Sequence, residues 1–190
     1  MTTFGSYAQY YDLLYRDKPY AAEAGHLHEL LRAHAPGARA LLELGCGTGA
    51  HAVALAALGY EIHGIDASAT MLALAQPRAS AVVSFALGDA RTVRVPRRFD
   101  AVISLFHVMS YQTSNADLAA AFATARAHLE PGGTFVFDCW YGPAVLTDRP
   151  TVRTRAVEDD RIALTRTSEP ALHAVRNVVD VRFRSNPHPI

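Results

Sequence analysis

Glu43 and the three alternating glycines after it, Gly45, Gly47 and Gly49, are the residues of this chain whose type and spacing say most about chemistry. They stand in the string Leu41-Leu42-Glu43-Leu44-Gly45-Cys46-Gly47-Thr48-Gly49. Glycines let a backbone approach a ligand where a Cβ would clash. Gly45, Gly47 and Ala50 also satisfy the short dinucleotide pattern G-x-G-x-x-A. In a dinucleotide site, however, the helix after the loop faces a pyrophosphate, and a carboxylate beside it would repel that group. A cationic ligand reverses the sign. S-adenosylmethionine carries an ammonium and a sulfonium, so the longer string E-x-G-x-G-x-G points to it as the cofactor and against NAD.

The loop needs a strand before it and a helix after it, and the sequence supplies both. Ala40 to Leu44 reads as a buried strand and Ala50 to Leu58 as a helix, the arrangement by which α/β domains present backbone to nucleotides. Tyr60 to Ile65 reads as a second strand, with Asp66 and Ala67 after it. An acid at this place takes ribose hydroxyls in either cofactor class; the alternative is that Asp66 caps the following helix. Val82 to Leu87 is a third strand ending in Gly88-Asp89-Ala90, Phe99 to Leu105 a fourth, and Thr134 to Cys139 a fifth after a Pro131-Gly132-Gly133 turn. Helices are expected at Ala21 to His34, Thr70 to Gln76 and Ala116 to Leu129, the last capped by Ser114 or Asn115. Alternation of strands and helices implies an α/β, doubly wound, mostly parallel sheet with helices on both faces. Ligands bind outside the carboxyl ends of such strands, where Glu43, Asp66, Asp89 and the segment after Leu105 all fall.

The chain resembles class I S-adenosylmethionine-dependent methyltransferases. The residues that carry the resemblance are E-L-G-C-G-T-G at 43–49, G-I-D-A-S-A-T-M-L at 64–72, G-D-A at 88–90, F-D-A-V-I-S at 99–104 and L-E-P-G-G at 129–133. Tyr7-Ala8-Gln9-Tyr10-Tyr11-Asp12 is similar to the opening of small-molecule members, the amino-sugar N-methyltransferases among them. The resemblance implies a Rossmann-like core. It implies cofactor contacts from Glu43, Gly45, Cys46, Gly47, Gly49, Asp66, Ala67, Met71, Asp89, Ala90 and Leu105, with Asp89 at the adenine amino group and Met71 on the adenine face.

Methyl transfer is an in-line displacement at an already activated carbon, so a protein supplies mainly alignment and exclusion of water. A base is needed only where the nucleophile keeps a proton. His107, just past the fourth strand, has the right chemistry and place for that role; the plain alternative is a packed histidine bonded to backbone. Tyr7, Tyr10 and Tyr11 are candidates for a lid, with the Tyr11 hydroxyl orienting an amine. Trp140 and Tyr141 are candidates for the wall of the substrate pocket. No histidine pair has metal-ligand spacing, so no zinc or catalytic metal is expected, and no nucleophile-elbow string supports hydrolase chemistry.

With 190 residues, one domain is expected, in three segments. These are an N-terminal helical lid over 1–37, the cofactor-binding core over 38–143, and antiparallel strands over 144–190. Lysine plus arginine number 18 and aspartate plus glutamate 18, which argues against a nucleic-acid surface. No apolar run approaches the roughly 20 residues of a membrane span, no leader pattern opens the chain, and two cysteines suit a reducing, cytoplasmic setting. After Trp140 the chain reads as strands alone, near Val152 to Val157, 161–164 and 175–183. The late strands look like a small antiparallel C-terminal sheet. Two readings stay open. Either the last strands usual in the family are missing, leaving an edge that invites a homodimer, or strands 161–183 are themselves the terminal hairpin. The expected activity is S-adenosylmethionine-dependent methyl transfer to an amine or hydroxyl of a small molecule, an amino sugar or another secondary metabolite. The alternatives are a small-molecule O-methyltransferase, a non-catalytic S-adenosylmethionine-binding protein and, less compatible with Glu43, a nicotinamide oxidoreductase.

Overall fold

The computed structural model describes residues 8–171 and 174–183. In chain order its elements are α1 (Tyr11–Leu14), α2 (Tyr20–His34), β1 (Ala40–Leu44), α3 (Ala50–Ala56), β2 (Glu61–Asp66), α4 (Ala69–Ala75) and β3 (Val83–Leu87). Then come β4 (Phe99–Ser104), α5 (Asn115–His128), β5 (Leu129–Phe137), α6 (Gly142–Thr147), β6 (Arg153–Glu158), β7 (Ile162–Ala171) and β8 (Ala174–Phe183). The described residues group into two units, one of residues 19–140 and one of the residues up to 18 with those after 140. The sequence boundaries at 37 and 143 fall elsewhere. Helix α2 packs its Leu27 and Leu31 into the core of the first unit, while the segment around α1 groups with the late strands.

The first unit is a five-stranded parallel sheet in the order β3-β2-β1-β4-β5. Its centre, β1, buries Leu41, Leu42 and Leu44 completely, as a parallel strand covered on both faces must. Period two sends these residues to opposite sides. Leu41 joins Leu27, Leu31, Leu55, Ile62 and Leu72 on the face covered by α2, α3 and α4. Leu42 and Leu44 join Ile65, Val102 and Ala125 on the face covered by α5. Strand order reverses direction between β1 and β4, so the crevice at their carboxyl ends is the topological switch point. Buried Ser104 ties the two strand ends there, its hydroxyl donating to the Leu44 carbonyl at 2.9 Å.

Local chemistry sets the element ends. Ser68 caps α4 by accepting from the Met71 amide, and Ser114 caps α5 by accepting from the Asp117 amide. Asp66 is therefore not the cap of α4. The Pro131-Gly132-Gly133 turn lies inside β5, where the pairing with β4 is irregular after Phe99. Gly133 is required there, since a Cβ would stand 2.8 Å from the Asp100 carbonyl oxygen.

The second unit holds the antiparallel sheet β6-β7-β8. Val157 and Leu164 pack with Leu14, and Tyr10, Leu13 and Tyr15 close around them. Arg166 donates to the Tyr15 hydroxyl at 2.8 Å. The small antiparallel C-terminal sheet expected from the sequence is present: β7 and β8 form a hairpin, and β7 pairs with β6. Helix α6 departs from the all-strand reading after Trp140. Six residues are too few to show a helical period, although Pro143 in the first turn was a usable start signal. Among the described residues no helix is long and apolar enough to cross a membrane.

Two glycines with left-handed backbone separate conformation from packing. Gly49 (φ +79°) would place a Cβ inside the Phe85 ring contact, whereas Gly132 (φ +82°) has nothing within 4 Å. Gly132→Ala should cost only the left-handed penalty, about 1–2 kcal/mol. Gly49→Ala should cost about 1–3 kcal/mol more, from overpacking. Urea midpoints of the two variants compare them directly, and equal losses would mean that Phe85 is not what requires Gly49.

Candidate active site

The loop between β1 and α3 is shaped by three glycines that all have positive φ, +81° at Gly45, +55° at Gly47 and +79° at Gly49. They do different jobs. A Cβ on Gly45 would strike the Val108 side chain at 2.5 Å, and one on Gly49 would strike Phe85 at 2.4 Å. Among the described residues, no atom other than those of its chain neighbours lies within 4 Å of where a Gly47 Cβ would be, so the loop is open at this position. The Gly45 and Cys46 amides both donate to the Ile65 carbonyl, at 2.7 and 3.0 Å. Asp66 fixes the middle of the loop: its Oδ2 accepts from the Gly47 amide and its Oδ1 from the Ser68 amide, each at 2.8 Å.

Glu43 stands on β1 opposite Gly64 and is 1% exposed. Its Oε2 is buried with no hydrogen-bond donor. Burial, with a further contribution from the nearby Asp66 charge, pushes its carboxyl up to about 8. Asp66 is also raised by burial, against which the Ser68 and Gly47 amides act. Neither carboxylate pairs with a lysine or arginine among the described residues. Buried carboxylates are ordinarily paired. Two of them beside an open loop make a crevice that favours positive charge. Cys46 is part of the wall. Burial and the same two carboxylates raise its thiol strongly, so it is no nucleophile at neutral pH.

The remaining predicted cofactor residues are dispersed along the same edge. Met71 is buried in α4, Ala67 is exposed after β2, Leu105 packs on the α2–α3 side of the sheet, and Ala90 packs on the α5 side. Asp89 has both carboxylate oxygens held by Arg91, which lowers its pKa, and Arg91 reaches on to Asp117 at 2.8 Å. The Arg91 carbonyl accepts from Thr124, and the Val95 amide donates to His128 Nε2, so the segment after β3 is pinned to α5.

At the end of β4 the chain makes a sharp departure. Among the described residues, Phe106 and His107 are the two non-glycine residues with positive φ, +61° and +64°. Such conformations cost about 1–3 kcal/mol each and persist where surrounding contacts enforce them. Here the enforcing contacts are Val108 against Gly45 and the His107 amide donating to Asp138 Oδ1 at 2.8 Å. The loop carrying His107 is therefore seated directly on the glycine loop. The His107 ring lies 5.9 Å from the Trp140 ring, and Trp140 is itself held by its amide donating to Ser110 Oγ. The His107 ring thus neighbours Trp140, and the next residue, Val108, rests against Gly45. Asp138 was missed, although its signal, an acid at the carboxyl end of a strand, is the one that marked Asp66. Tyr10, Tyr11 and Tyr141 belong to the second unit, where Tyr10 packs near Leu14, Tyr11 stacks on Tyr15 at 4.6 Å and Tyr141 precedes α6. Tyr7 lies outside the described residues.

Comparison with known proteins agrees with this geometry. Residues 41–133 match the model of a family described as a methyltransferase domain. A dTDP-3-amino-3,6-dideoxy-alpha-D-glucopyranose N,N-dimethyltransferase of Streptomyces fradiae is 34% identical over 181 residues, 94% of this chain and 70% of that protein. The chain belongs to the S-adenosylmethionine-dependent methyltransferase family. A second methyltransferase, the dTDP-3-amino-3,4,6-trideoxy-alpha-D-glucopyranose N,N-dimethyltransferase of Streptomyces venezuelae, is 38% identical over 75% of this chain, which spans only 60% of its length. Among solved methyltransferases, Streptomyces venezuelae DesVI superposes with a TM-score of 0.76 at 31% identity, covering 94% of this chain and 83% of that one. The amino pentose methyltransferase CalS10, solved with S-adenosylmethionine bound, gives 0.71 at 29% identity, covering 96% and 83%.

The Glu43 carboxyl makes stability depend on pH. Its folded value of about 8 lies above the ordinary 4.5, so between these values the folded protein holds a proton that the unfolded chain releases. Wild-type stability should therefore fall as pH rises through that window. Glu43→Gln should match wild type near the ordinary glutamate pKa and exceed it above the raised one, by on the order of a few kcal/mol. Urea unfolding across this range checks it, and a Glu43→Gln protein that follows the wild-type pH slope would contradict the assignment.

Proposed function

We propose that this chain transfers a methyl group from S-adenosylmethionine to the amine of a small amino sugar. The observation that carries the reading is the buried, cation-free Glu43 beside Asp66 at an open glycine loop, on the switch-point edge of the sheet. The residues fit the cofactor: an orphaned carboxylate suits a positively charged ligand, and the space over Gly47 admits a close approach to backbone. Glu43 would face its positive charge, Gly45 to Gly49 would cradle it, and Asp66 would take its ribose hydroxyls. A pyrophosphate-bearing dinucleotide would meet two carboxylates without a cation between them, which disfavours a nicotinamide enzyme. When bound, S-adenosylmethionine supplies a methyl carbon made electrophilic by its sulfonium.

The chain's own part is alignment and proton removal. An amine must present its lone pair, and at neutral pH most aliphatic amines are protonated. His107, on the loop seated against Gly45, is the group that takes up that proton. Trp140, half exposed beside the imidazole, would restrict water on the acceptor side. Support for an amine on a sugar comes from the names of the relatives, whose acceptors are dTDP-linked amino deoxysugars.

The test is incubation of the purified chain with S-adenosylmethionine and a dTDP-linked amino deoxysugar, with product mass and S-adenosylhomocysteine as readouts. Methylation at nitrogen is expected; methylation of a hydroxyl, or cofactor binding without turnover on any acceptor, would replace the reading. Gly47→Val should abolish S-adenosylhomocysteine binding in calorimetry while the protein stays folded. His107→Ala should lower kcat by about 10²–10⁴ and leave cofactor affinity nearly intact. Unchanged cofactor affinity in the first variant, or unchanged kcat in the second, would remove that residue from the site.

A further inference from the structure

We propose that Asp138 is the positioning residue for His107: it selects the imidazole tautomer that leaves Nε2 free to accept the substrate proton. The inference deepens the functional reading above and rests on it for the substrate, but its structural basis is independent. Asp138 follows β5 directly, and His107 lies on the turn after its neighbour β4, so both stand at the carboxyl edge of adjacent strands. The two strand ends are linked by the Asp138 amide donating to the Ser104 carbonyl at 3.2 Å.

The carboxylate holds the histidine backbone and faces its ring. Oδ1 accepts from the His107 amide at 2.8 Å, and Oδ2 stands 3.5 Å from His107 Nδ1, an ion-pair distance. Nδ1 is buried and makes no hydrogen bond, so Oδ2 is the acceptor a small ring rotation would bring to it. A neutral imidazole carries one proton, and the nitrogen that faces a carboxylate keeps it. Nδ1 is then the donor and Nε2 holds the lone pair. Nε2 is neither hydrogen-bonded nor fully buried among the described residues, and the side chain as a whole is 38% exposed. The charged group facing the ring is Asp138; its other neighbours are the Phe106 and Trp140 rings. His107 has a φ of +64° at this turn, with its amide and Nδ1 both on the side of the Asp138 carboxylate.

The proton bookkeeping is simple. Nε2 accepts one proton from the substrate ammonium, the ring becomes imidazolium, and the Asp138 carboxylate stabilises that charge without being protonated. The freed amine would then displace the methyl carbon from the sulfonium, the N–C bond forming as the S–C bond breaks and S-adenosylhomocysteine leaves, and the imidazolium would return its proton to solvent.

Asp138→Asn separates this role from a structural one. An asparagine has one carbonyl oxygen. If it keeps the bond to the His107 amide, its NH2 faces Nδ1, which must then accept, and the proton moves to Nε2. The experiment is nitrogen-15 NMR of the imidazole on the full chain across pH, in wild type and variant. Wild type should show the proton on Nδ1 in the neutral ring. Asp138→Asn should show it on Nε2. With S-adenosylmethionine and the amino sugar, kcat should fall at least tenfold while cofactor KM stays unchanged. A wild-type ring protonated on Nε2, or a variant with unchanged tautomer, overturns the proposal without need of any turnover. A correct tautomer with no methyl transfer by wild type would instead overturn the functional reading. If Asp138→Asn does not fold, the wild-type tautomer alone decides, and Asp138→Glu, which keeps the charge, should retain the Nδ1 proton.

Discussion

An ionisable carboxylate held out of water at the end of the central strand is the constraint on which this structure turns. Glu43 sits between fully buried leucines on β1, where an apolar residue would be expected and would pack without penalty. Its unmatched oxygen and raised pKa make the ligand-free protein less stable than it need be. A positively charged ligand would remove that penalty, which is how the proposed cofactor contact would draw on the folded state. The opposite residue Gly64 contributes to the same end: a Cβ there would stand 2.9 Å from Cys46, so its absence lets the loop fold down beside the carboxylate.

The surrounding parts hold the loop open in one shape. Gly45 is required by Val108 and Gly49 by Phe85, so the loop is clamped from the β4 side and from the β3 side at once. The Asp66 carboxylate holds its middle by the Gly47 amide. Only Gly47 faces open space. The clamp on Gly45 also seats the turn bearing His107, which joins the two proposed halves of the site through the Val108 side chain. A change at Val108 would therefore be felt in both.

Much of this was legible in the residues. The strand–glycine loop–helix order, the acid after β2 and the Ser114 cap follow from patterns of period and turn chemistry, and the β1, β2 and β4 assignments agree with the structure to within a residue or two. What could not be read were long-range partners. Nothing local in Phe85 or Val108 says that a glycine depends on it, and Asp89 gave no sign that Arg91 would occupy its carboxylate, linking it to α5. Asp138 was visible as an acid after a strand but acquires meaning only when β5 lies beside β4. The late strands were legible as a small antiparallel sheet from their alternation, whereas the short helix α6 before them was not.

The most direct measurement is calorimetry of S-adenosylmethionine binding near neutral pH in buffers of different ionisation enthalpy, which counts protons exchanged on binding. With the Glu43 carboxyl raised to about 8, the ligand must ionise it, and release of about one proton per site is expected in wild type but not in Glu43→Gln, which should bind far more weakly. Binding without proton release, at an affinity that Glu43→Gln leaves unchanged, would contradict the central role given to this carboxylate.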